Sequence, residues 1–170
     1  KTSSSSISES PLDMLKKTIS ENNDSEKCNE SMNKLNFIVE GCDTWMEPYL
    51  LEFIPILMDN ISFFKTSEQA TITATNLVNK MNTYSVHVVL DLLFSSFDSL
   101  KWQTKCGALK ILALFKNLDK KVIQQNLPKI ILRLINLTSD VKREVKIETR
   151  NCFNEICSVI DNVDIIKIIP

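Results

Sequence analysis

Lys142, Lys146 and Arg150 stand at i, i+4 and i+8, a spacing that sets three cations on one face of a helix, with Arg143 beside them. Such a stripe suits phosphates, whose recognition is mainly electrostatic and falls steeply with salt. Lys101 and Lys105 add a second cationic group earlier in the chain. An ordinary solvated face, in which Glu144 and Glu148 pair with these cations, accounts for the same spacing. Little else in the chain could do chemistry. His87 is the single histidine, too little for a Ser/His/Asp or Cys/His arrangement. Two glycines and no GxxxxGK[ST] leave no phosphate-cradling loop. Cys28, Cys42, Cys106, Cys152 and Cys157 form no CxxC pair and, with one histidine, fall short of a zinc site. They read as reduced thiols packed among helices. Asp161, Asn162 and Asp164 suit capping better than an oxygen cage for a metal. Trp102, opening a helix, reads as a ring over the groove between neighbours rather than an exposed contact. Trp45 is similar. The sequence thus predicts no catalytic, cofactor or metal residues in these 170.

The net charge of −1 conceals a division. Residues 1–100 carry 7 Lys/Arg and 14 Asp/Glu, whereas residues 101–170 carry 13 and 7. A basic half of this kind points to a partner-facing region, nucleic acid in particular. No apolar run approaches the ~20 residues that span a bilayer. No charged-then-apolar leader is present at Lys1 either, so a cytoplasmic chain is expected, with no membrane partner.

The elements that must hold the cations are helices. Residues 1–10 read as a Ser-rich tail, poorly ordered. Pro11 to Ser20 starts a short helix with Ser10 as N-cap and Leu12, Leu15 and Ile19 on one stripe. Lys27 to Gly41 follows, with Cys28, Met32, Leu35 and Val39 inward and Gly41 placed to end it. Residues 11–45 are expected to form one or two capping helices. Met46 to Phe64 is strongly apolar, with Pro55 kinking it or marking where its main body begins. Ser67 to Met81, Ser85 to Phe97, Lys101 to Leu118, Lys121 to Thr138 and Val141 to Ile160 complete three pairs, with Asp140 suited to cap the last helix. Short connections between successive helices cannot feed a parallel sheet, so the fold class is all-α.

The pairs also repeat. Tyr49-Leu-Leu-Glu-Phe-Ile-Pro55, Asn126-Leu-Pro128-Lys-Ile-Ile-Leu and Ile165-Ile-Lys-Ile-Ile-Pro170 share one phrase, and Ser85-Val-His-Val-Val-Leu-Asp91 fills the gap. The steps are 36, 37 and 42 residues, the period of stacked helix pairs, an α–α superhelix. The last copy at Ile165 to Pro170 stops unfinished, so the chain is expected to be part of a longer protein.

Within a repeat, a helix led by Leu-Pro is followed by Asp140-Val-Lys-Arg-Glu-Val145, which resembles a HEAT repeat. The longer match covers residues 46–170, about three quarters of the chain. Glu47-Pro-Tyr-Leu50, Lys101-Trp-Gln-Thr-Lys105, Leu127-Pro128, Lys142-Arg-Glu-Val-Lys146 and Asp161-Asn-Val-Asp-Ile165 resemble the N-terminal HEAT region of fungal-type translation elongation factor three. The same segments are similar to a block of the ribosome-associated general-control kinase activator. Two departures stand out: Asp91 replaces a Pro, and Thr138-Ser139-Asp140 replaces the usual Trp-Asp.

The resemblance implies a HEAT/armadillo-type solenoid that docks on the small ribosomal subunit, meeting rRNA and ribosomal proteins. Lys101, Lys105, Lys142, Arg143, Lys146 and Arg150 would be its contacts. It implies no cofactor or small-molecule substrate in this segment, a monomeric state, and ATP bound only by downstream ABC domains of the parent. A HEAT scaffold with a purely protein partner is the remaining alternative.

Overall fold

A computed structural model describes residues 10–21, 24–43 and 46–160. The Ser-rich tail before Ser10, Trp45, the Asp161–Asp164 group and the last copy of the repeated phrase lie outside the described residues. The others form α1 (Pro11–Glu21), α2 (Ser25–Gly41), α3 (Glu47–Leu51), α4 (Ile54–Ile61), α5 (Ser67–Lys80), α6 (Thr83–Phe97), α7 (Trp102–Ala113), α8 (Lys120–Thr138) and α9 (Arg143–Ser158). A 3-10 turn, Leu114–Asn117, extends α7.

Local chemistry starts most of these helices. Ser10 Oγ accepts the Asp13 N–H at 3.2 Å, while the Asp13 carboxylate accepts from the Ser10 hydroxyl at 2.8 Å, a reciprocal cap. Asp24, Asn82 and Asp119 each accept backbone N–H groups at the starts of α2, α6 and α8. The expected helix Met46 to Phe64 is two helices, because the chain turns at Glu52–Phe53 and Pro55 takes the second position of α4. There its missing N–H costs nothing. Pro128, by contrast, lies inside α8 rather than leading a helix, so the repeated phrase does not mark equivalent helix starts.

The helices pack in two layers. α1, α3 with α4, α6 and α8 form one, and α2, α5, α7 and α9 form the other. Each helix of the first layer pairs with the one that follows it, so α1 and α2 form a full pair like the rest. The stripe predicted in α2, Cys28, Met32, Leu35 and Val39, is the buried one, while in α1 only Ile19 is fully buried and Leu12 and Leu15 pack on the margin of the core; Ala70, Ala74 and Leu77 are buried at helical spacing in α5. Cys106, Leu109 and Leu112 do the same in α7. One continuous apolar core runs from Ile19 to Ile160.

α4 also lies directly on α7, one repeat ahead. Gly107 permits this approach: a Cβ there would stand 2.7 Å from the carbonyl carbon of Met58, and closer still to its oxygen. Most polar bonds between repeats join residues 35–45 apart, close to the step of the repeated phrase. The buried Asn60 side chain ties three helices, donating to the carbonyls of Ile19 and Ile56 and accepting from Cys28 Sγ. A buried amide satisfied in this way fixes the relative placement of α1, α2 and α4.

Candidate functional site: a basic edge on the second half of the stack

The turns inside the last three pairs lie side by side along one edge. Ser62, ending α4, donates its hydroxyl to the Gln103 carbonyl at the start of α7 at 2.6 Å. Lys105, on the first turn of α7, donates to Asp140 in the turn before α9 at 2.7 Å. Asn29 donates to the Lys65 carbonyl at 3.3 Å, bringing the start of α2 to the same edge.

The six predicted contact residues divide on this frame. Lys101 and Lys142 are exposed and hold equivalent places, each the N-cap of its helix. Arg143, Lys146 and Arg150 are exposed on α9. Among the described residues, none of these five forms an ion pair. Lys105 is the exception. Its side chain is 20% exposed and closes on Asp140, itself 11% exposed, so its charge is committed within the fold. The Lys105 hydrogen bond, with burial opposing it and the Lys142 N–H adding to it, holds the Asp140 carboxyl below its usual range. Asp140 therefore braces the turn instead of capping the helix, as its position in sequence suggested.

Lys142 is extended at φ −84° and ψ 128°, so it does not share the helical spacing of the residues behind it. The stripe on α9 is instead Arg143, Lys146 and Arg150, at i, i+3 and i+7, about 10 Å from end to end at 1.5 Å per residue. Glu144 and Glu148 do not neutralise it. They line a groove with Trp102, Cys106 and Lys110 on the α7 side, and Glu155 takes Lys116 at 2.7 Å. One flank of α9 is thus acidic and turned to α7, and the other is basic and turned away. Trp102 is half-buried and packs on the core, the groove-covering role its position implied. His87 is exposed.

Sequence reading missed the apolar members of this edge. Phe64, Leu100 and Val141 sit in the three successive turns, each directly before or beside an exposed lysine, Lys65, Lys101 or Lys142. An apolar residue abutting a lysine in each turn was the available signal.

The groove beside Trp102 is shallow, about 230 Å³. No group of three or more His, Cys, Asp or Glu able to hold a metal occurs among the described residues. No helix among them is long and apolar enough to cross a membrane.

Comparison with known proteins agrees with this frame. The chain covers 94% of itself and 67% of the crystal structure of an engineered protein at a TM-score of 0.52 and 16% identity, a likeness of fold alone. It is 34% identical over 128 residues to elongation factor 3 of Gonapodya prolifera, and 26% identical over 128 residues to the stalled ribosome sensor GCN1 of Homo sapiens. These matches use 74% and 73% of the chain but only 12% and 5% of the relatives, so the chain spans a small fraction of their length. The family model described as EF3 N-terminal HEAT repeat matches residues 1–153. With stacked helix pairs running through nearly all of that span, the chain belongs to the HEAT-repeat family found at the N-terminus of elongation factor 3.

Proposed function

We propose that this chain is the ribosome-docking region of an elongation-factor-three-like protein that works in the cytoplasm. The parent would be an ABC-type ATPase that helps deacylated tRNA leave the exit site, with ATP bound in domains outside these residues. This segment carries no catalytic step. Its role is to hold a rigid, cationic edge against the small subunit, where rRNA phosphates and ribosomal proteins are the contacts.

The observation that carries the reading is the set of five exposed cations left without ion pairs among the described residues. Lys101, Lys142, Arg143, Lys146 and Arg150 stand on α7 and α9, in a family matched over residues 1–153. Because packed helices fix their separations, little ordering is needed on contact, which favours binding. Lys105 drops out of the contact set, since Asp140 already holds it.

Co-sedimentation with salt-washed ribosomes tests this. The chain should pellet with ribosomes at low salt, and reversal of Lys142, Lys146 and Arg150 to Glu should abolish most of that binding. Absence of binding at low salt would overturn the reading, and so would equal binding by the reversed protein.

A second reading follows from the likeness to a stalled ribosome sensor. There the same surface would belong to an activator of the general-control kinase. Nucleotide-binding domains in the rest of the protein separate the two.

A further inference from the structure

We infer that the edge formed by the three turns receives an acidic protein segment carrying apolar side chains, a ribosomal protein rather than rRNA. The inference rests on the ribosome-docking reading and assigns one part of that surface.

Phe64, Leu100 and Val141 are each at least 95% exposed. Single exposed apolar residues are ordinary, but these three recur once per repeat in adjacent turns, Leu100 and Val141 directly before their N-caps and Phe64 one residue earlier. The Ser62–Gln103 and Lys105–Asp140 bonds hold those turns together, so the three side chains form one row. Phe63, also exposed, widens the row at its first turn.

Charge along the row is one-sided. Lys65, Lys101 and Lys142 are exposed and form no ion pair among the described residues. The two acids within these turns are engaged: Asp98 with Arg133 at 3.6 Å, and Asp140 with Lys105 at 2.7 Å. The N-caps of α5, α7 and α9 are Thr66, Lys101 and Lys142, and none supplies a side-chain cap. Three parallel helices therefore direct their positive ends to this edge, whereas α6 and α8 at the opposite edge are capped by Asn82 and Asp119. A partner here must bring negative charge.

Phosphates and carboxylates both satisfy that demand, and the apolar residues decide between them. An RNA partner offers base faces, on which aromatic rings stack. Leu100 and Val141 are aliphatic and cannot stack, and only apolar surface on the partner would bury them. An amphipathic segment with carboxylates beside apolar side chains meets both requirements at once.

The test places a photo-crosslinking benzoylphenylalanine at Leu100, a position with no packing to disturb, and irradiates the protein on salt-washed ribosomes. Crosslinks to a ribosomal protein are expected, mapping to an acidic stretch. The variant F64S/L100S/V141S, which removes only exposed groups, should fold normally by circular dichroism. It should bind ribosomes at least about tenfold more weakly, with its salt dependence unchanged. Crosslinks to rRNA alone would overturn the inference, as would none, or full affinity in the triple variant; the basic stripe on α9 would then stand by itself. Failure of the unsubstituted protein to bind ribosomes would remove the docking reading and this inference with it.

Discussion

Lys105 and Lys146 hold the fourth position of equivalent helices, α7 and α9, yet only Lys105 meets a carboxylate. A half-buried, charge-assisted bond of this kind contributes more than an exposed pair. Lys105→Met should lower stability by about 2 kcal/mol in urea unfolding at pH 7, because Asp140 loses its main partner. Ribosome affinity should hardly change. The pH dependence has a definite sign. Asp140 titrates lower in the folded chain than unfolded, so the pair's contribution is complete above the unfolded value near 4 and disappears as pH falls through the folded one. The gap between the two proteins should hold from pH 7 to 5 and narrow below 4; a gap unchanged at pH 3 would mean that another contact carries it. The thiols give a second expectation at this scale. Burial, with the nearby Glu148 charge second, pushes Cys106 up to about 11, and burial raises Cys152 further. Iodoacetamide at pH 8 should leave both unmodified in the folded chain and react with both in urea. Prompt labelling of either in the folded chain would contradict this packing.

At the scale of elements, α4 crossing directly onto α7 depends on Gly107. Its replacement by Ala drives a methyl into the Met58 backbone, which cannot yield as a side chain would. Gly107→Ala should therefore cost about 3 kcal/mol or more, read as a fall in urea midpoint, whereas Gly41→Ala, with open space around it, should not. Periodicity made the helices and their inward faces legible, since burial follows the 3.6-residue stripe in α2, α5 and α7 alike. It did not reveal the place of each proline. Pro55 and Pro128 share a phrase, but one opens α4 and the other lies inside α8, whose start is fixed nine residues earlier by the Asp119 cap. Gly107 was visible as a glycine inside a helical pattern. Its partner, Met58, is a repeat away, and no local signal names it. The cations were legible as residue types, while the commitment of Lys105 to Asp140 required the turn before α9 to come within reach.

Across the whole molecule, stacking turns a change in composition into a change in surface. The acidic majority of residues 1–100 and the basic majority of residues 101–170 divide at the turn between α6 and α7, so the five contact cations, unpaired among the described residues, fall on α9 and on the turns that open α7 and α9. A rigid stack holds the α9 stripe and the row of turns at fixed separation, which lets one partner engage both. The two surfaces should answer salt differently, because phosphate contacts release counterions and apolar burial does not. If Arg143, Lys146 and Arg150 each neutralise a phosphate, the slope of log affinity against log salt should shrink by about 2–3 units when all three are reversed to Glu. In F64S/L100S/V141S the slope should stay the same while affinity falls. Titration of labelled protein with ribosomes across a range of potassium chloride separates these outcomes. An unaltered slope after charge reversal would mean that these cations do not sit on phosphates, leaving the turn row as the principal contact.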